Sequence, residues 1–155
     1  GTELKVRVLG KGEGTVAVSG TTTVEAHDLY LRGLTLWRVR EEDELFAAID
    51  AFNRAISADP GFAEAWGGLA MTYAVLSDYS NRLTPSDAEL RSLDAAQRAL
   101  ALDPTATEPL LAMGNVAGKT GRRQTAAALL RRVIELLAGQ AAALALRESR
   151  MTALV

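Results

Sequence analysis

The chain has no cysteine and a single histidine in 155 residues. Without thiolates there is no disulfide, no cysteine nucleophile and no thiolate-held zinc. His27 has no second histidine or cysteine to complete a soft metal site with it. Aromatic residues make up only 5% of the chain, although apolar residues reach 48%. A core must therefore come mainly from Ala, Leu and Val, which suits closely packed helices better than a β-sandwich. Proline occurs four times, so each one reads as punctuation. No apolar run approaches the roughly 18 residues of a membrane span, and no signal peptide is visible.

The net charge of −2 predicts no general attraction to nucleic acid or anionic lipid. The charge is uneven. Residues 1–104 carry 10 basic against 16 acidic side chains, and residues 105–155 carry 7 against 3. The basic end reads as a solvated surface.

The length suits one domain. Residues 1–24 differ from the rest: Leu4, Val6 and Val8 alternate with charged residues, Val16 and Val18 alternate with small ones, and Gly10, Gly12 and Gly14 lie between. Two readings stand, a β-hairpin with a loose glycine loop or a junction with an upstream element. The odd start at Gly1 suits an excised piece of something longer.

From Thr23 onward the apolar period is helical. Leu29, Tyr30, Gly33, Leu34, Leu36 and Trp37 share one broad surface over 25–39. Residues 40–44, REEDE, read as a solvated acidic connector. Leu45, Ala48, Ile49, Phe52, Ala55 and Ile56 then form an amphipathic face. Asp59-Pro60 ends that helix, because the residue before proline is pushed out of helical space. A helix with Trp66, Leu69, Ala70, Tyr73 and Leu76 follows. Thr84, Pro85 and Asp87 supply a cap, a first-turn proline and a first-turn acid for the next. Asp103-Pro104 ends that one too. A short helix over 107–118 closes on Lys119-Thr120-Gly121. Residues 122–137 and 140–154 read as two further helices separated by Gly139, giving seven in all.

Aligned on the two Asp-Pro stops, the chain repeats itself. Phe52 and Ala55 precede Pro60 at the offsets at which Ala96 and Ala99 precede Pro104. Trp66, Leu69, Ala70 and Tyr73 follow Pro60 at the offsets of Leu110, Met113, Gly114 and Ala117 after Pro104. Such self-similarity marks a helical array whose helix pairs bury their cores only by stacking.

These residues resemble the tetratricopeptide repeat (TPR) family over about 25–155. The resemblance implies an all-α superhelix of three helix pairs, at about 25–62, 63–106 and 107–139, with a capping helix over 140–154. The prolines are 44 residues apart instead of the family's 34, which implies a ten-residue insertion at 77–87. Ala138 stands where a third proline is expected. AHDLYLRGLTLW at 26–37, the acidic connector and the stretch 51–76 further resemble TPR segments of bacterial signalling proteins linked to adenylate or guanylate cyclase or winged-helix regulatory domains. That resemblance implies a sensory or docking arm. The expected location is cytoplasmic, with a periplasmic or other extracytoplasmic arm of a membrane regulator as the alternative.

A search for chemistry yields no catalytic, cofactor or metal site. His27 reads as a surface or packing residue. The acids at 41–44 are adjacent in sequence and do not enclose an ion. GKGEG at 10–14 lacks the Lys-Ser/Thr ending and the following helix of a phosphate loop. Residues 105–155 contain no aromatic residue to interleave with their arginines, so no nucleic-acid partner is expected. What remains is the concave groove that the resemblance implies along the first helix of each pair: His27, Tyr30, Leu34, Trp37 and Arg38, then Glu64, Gly67, Met71, Ala74 and Val75, then Glu108, Leu111, Asn115, Gly118 and Lys119. Family members that clamp a terminal carboxylate use Lys, Arg and Asn there. Only Asn115 and Lys119 match, so that ligand is not expected. Trp37, Tyr30 and Met71 stand as apolar anchors for a protein or peptide partner, or else as core. The alternative function is self-association of the parent protein as a homodimer. No membrane partner is expected.

Overall fold

The structure, a computed structural model, describes residues 17–18 and 22–154. It is an all-α superhelix. Six helices follow in order: α1 (Val24–Val39), α2 (Glu42–Ala58), α3 (Ala63–Leu76), α4 (Pro85–Leu102), α5 (Glu108–Lys119) and α6 (Arg123–Ala153). They form the pairs α1/α2, α3/α4 and α5/α6, and α3 packs in addition on α1, α2 and α5. The first helices of the pairs thus run side by side, as a stacked array requires.

The two Asp-Pro stops share one geometry. Asp59 has φ −144° and ψ 94°, and its N–H donates to the Ala55 carbonyl. Asp103 has φ −139° and ψ 98°, and its N–H donates to Ala99. In both turns the aspartate side chain accepts a backbone N–H two residues on, from Gly61 at 3.0 Å and Thr105 at 2.9 Å. The sequence repeat is therefore a repeat of turn chemistry. At the third stop, Gly121 has φ +77°, and Arg122 N–H donates to Ala117 across it at 2.8 Å, a left-handed glycine closure. Thr84 caps α4 by accepting from Asp87 N–H at 3.1 Å.

The core sits between the first two pairs, where Leu45, Phe52, Ala70, Leu76 and Ala96 are fully or almost fully buried. Its centre is the Phe52 ring. A Cβ on Gly33 of α1 would fall 2.6 Å from that ring, and one on Gly68 of α3 would fall 2.5 Å from it. Two glycines let α1 and α3 close on a single phenyl group. Buried hydroxyls are satisfied: Thr72 donates to the Gly68 carbonyl at 2.7 Å and Ser92 to Ala70 at 2.8 Å.

Two expectations change. Among the described residues there are six helices, not seven, because residues 140–153 continue α6 without a break. Gly139 lies inside the helix with ordinary φ. A lone glycine weakens a helix but does not end one without a left-handed turn or a proline, and Ala-rich sequence surrounds it. Second, Glu42, Asp43 and Glu44 are no connector. They form the first turn of α2, where acids favour the positive end of the helix dipole, leaving Arg40 and Glu41 between α1 and α2. The insertion loop is anchored: Arg82 pairs with Glu42 at 3.2 Å and Asp43 at 2.7 Å, and its guanidinium lies over Phe46.

The hairpin expected at the N-terminus falls mostly outside the described residues. Within them, Ala17–Val18 pairs antiparallel with Thr22–Thr23. Thr22 donates to the Asp59 carboxylate at 3.0 Å, which ties this short ladder to the first Asp-Pro turn.

Candidate functional site: a groove along the first helices

The groove is built by α1, α3 and α5. Gly67 brings α3 close to the start of α5, where a Cβ would lie 3.1 Å from Glu108 Cβ. Toward the other ends of these helices they diverge around a depression of about 280 Å³, lined by Trp37, Arg40, Met71, Ala74, Val75, Leu111, Ala112 and Asn115. Six of the groove positions that the resemblance implies, Trp37, Met71, Ala74, Val75, Leu111 and Asn115, line it, among them two of the three expected anchors, Trp37 and Met71. Leu111 is 37% exposed, so its side chain is offered to solvent at the rim.

Arg40 was missed. It is the C-cap of α1 and has φ +61°, the one non-glycine residue in left-handed space among the described residues. That turn folds its side chain back, placing the guanidinium 3.9 Å from the Trp37 ring centroid. The indole N–H of Trp37 is buried and meets no acceptor among the described residues, a cost of about 1–3 kcal/mol. The depression is thus an apolar floor of Met71 and Val75 with Leu111 at the rim, a stacked cation at one side and the Asn115 amide at another.

The remaining expected residues lie elsewhere. Tyr30 belongs to an aromatic cluster, 5.1 Å from Phe62 and 6.0 Å from Phe52 between ring centroids. His27 stacks on Phe62 at 6.4 Å, a packing role. Burial, reinforced by Glu108 and Glu64 and partly offset by Arg38, pushes the Tyr30 phenol up from 10.0 to about 12. Glu64 is exposed two turns before Met71 on α3, and Arg38 is exposed next to Trp37 without lining the depression. Leu34 packs, half-buried, against the core. Lys119 does not face the groove as a ligand: its ammonium donates to Asp78 at 2.7 Å and to the Ala74 carbonyl at 2.8 Å.

Among the described residues, no three His, Asp or Glu side chains converge as a metal site, and no helix is long and apolar enough to cross a membrane.

Comparison with solved structures decides the fold. The chain superposes on the Arabidopsis OM64 TPR domain with a TM-score of 0.57 at 15% identity, covering 72% of this chain and 81% of that one. The fold is that of a TPR array. MamA matches with a TM-score of 0.56 at 22% identity over 76% of this chain and 61% of its own. The second TPR domain of Spaghetti (RPAP3), bound to the HSP90 peptide SRMEEVD, matches with a TM-score of 0.55 at 19% identity over 73% and 93%. No protein-family model matches the sequence, and no curated protein does.

Proposed function

We propose that this TPR-fold chain is a non-catalytic protein-interaction module that seats a peptide segment of a partner in the groove at Trp37, Met71 and Leu111. The observation that carries the reading is the depression itself, apolar at its base and edged by Arg40 and Asn115. An apolar pocket with a few convergent polar groups is the usual form of a recognition site. One of the similar folds, the Spaghetti TPR domain, was solved with a peptide bound. Lys119 is committed to Asp78 and Ala74, which argues against a carboxylate clamp and for an anchor residue that is apolar. The parent, on this reading, is a bacterial signalling or transcription-regulatory protein for which the array serves as a docking arm; the sequence resemblance at 26–37 and 51–76 supports that assignment.

A random peptide display library selected on the chain tests the groove. Selected peptides should lose at least about tenfold in affinity on Leu111→Glu, a change at an exposed rim position, and keep it on Leu102→Glu, an exposed site on α4. Peptides that bind the Leu111→Glu protein as tightly as the parent would show that the groove is not the site.

A further inference from the structure

Helix α6 has 31 residues against 12 in α5, about 46 Å against 18 Å. It packs on α5 through the face carrying Leu129 and buried Val133, and its second half runs past its neighbour, exposed throughout. A second stripe lies roughly 70° round the helix from that face. There Leu130, Ile134, Leu137, Leu144 and Met151 are between 48% and 65% exposed. Ala141 and Glu148 complete the series, whose steps alternate four and three residues over three heptads. This is the spacing of a coiled-coil seam, with leucine or methionine at each d position and Ile134, Ala141 and Glu148 at a. No other described element covers it.

We propose that this seam joins two copies of the chain as an antiparallel coiled coil. The stripe is self-complementary, as a two-fold interface demands. Its charges choose the orientation. Parallel pairing would stack Glu148 on Glu148 of the second copy inside the seam, where like charges repel. Antiparallel pairing centred between residues 142 and 143 sets Ile134 against Met151 of the second copy, Ala141 against Leu144, and Leu137 against Glu148. In that register the flanking Gln140 meets Arg147 and Arg131 meets Thr152, so no charge faces its own sign. The proposal is independent of the groove, which lies on α1, α3 and α5.

Light scattering over a roughly hundredfold dilution should return twice the 16.5 kDa chain mass at the concentrated end. Leu137→Glu with Leu144→Glu should return the single-chain mass with unchanged helical circular dichroism, since both side chains are exposed. The absence of cysteine makes orientation easy to read. The pair Ile134→Cys and Met151→Cys in one chain should cross-link into a dimer on air oxidation. Ile134→Cys alone should not, because its two copies would lie about 25 Å apart. A single-chain mass for the unaltered protein at every concentration, or efficient cross-linking of Ile134→Cys alone, would overturn the proposal.

Discussion

Lys119 reaches from the end of α5 to Asp78, just past the end of α3, with 2.7 Å between its ammonium and the carboxylate and 2.8 Å to the Ala74 carbonyl on the way. It is the one lysine among the described residues, and its side chain is only 24% exposed. The bond serves assembly: a cation satisfies an orphan carbonyl at a helix C-terminus and clips the third repeat to the second. Lys119→Met keeps the aliphatic stem and removes the charge. It should lower stability by about 1 kcal/mol, since the carboxylate partner is half exposed and screened. Urea unfolding would register the change, and peptides selected on the groove should bind the variant unchanged. A loss of peptide affinity without a loss of stability would mean that Lys119 is a ligand-binding residue after all.

The Phe52 ring makes a sharper stability prediction. Gly33→Ala and Gly68→Ala each place a methyl group against it at distances that real contacts do not reach, so each should cost about 1–3 kcal/mol. Gly114→Ala is the contrast. Its added methyl would meet Leu129 at 3.8 Å, an ordinary contact, and the helix propensity gain should stabilise by up to about 1 kcal/mol. Denaturant midpoints of the three variants separate a packing glycine from an incidental one. Phe52→Leu should partly rescue Gly68→Ala, which a double-mutant cycle would detect as coupling.

Tyr30 links the aromatic cluster to pH. Its phenol ionises near 12 in the folded state instead of 10.0, chiefly because it is buried. Above pH 10 the unfolded chain releases the proton while the folded chain retains it, so the unfolded state binds fewer protons. Stability from this group is therefore complete below pH 10 and declines as pH rises from 10 toward 12. Tyr30→Phe should leave stability at pH 7 nearly unchanged and flatten that alkaline decline. An equal slope in both proteins would place the effect on another group.

The array was legible in the sequence because its stops are local chemistry. An aspartate that binds the N–H two residues on, followed by a proline, ends α2 and α4 in the same way wherever the surrounding residues pack. Trp37, Met71, Leu111 and Asn115, which line the depression, were reached through the TPR resemblance, which assigns the first helix of each pair to the concave face. Arg40 was not, because nothing at its position signals left-handed backbone; glycine or asparagine would have, and arginine does not. Gly68 escaped notice because its partner ring belongs to another helix. The continuity of α6 was misread because glycine permits a turn without imposing one, and the deciding fact is the absence of a proline at Ala138.

The position of α3 has a consequence for how the molecule comes apart. In a uniform solenoid each repeat leans only on its neighbours, and the ends can melt while the middle holds. Here one helix of 14 residues is shared by four others. Its loss would strand Phe52, Ala96 and Pro109 at once, so the first two repeats and the start of the third behave as one cooperative unit, and α6, which packs chiefly on α5, forms the low-energy edge of the landscape.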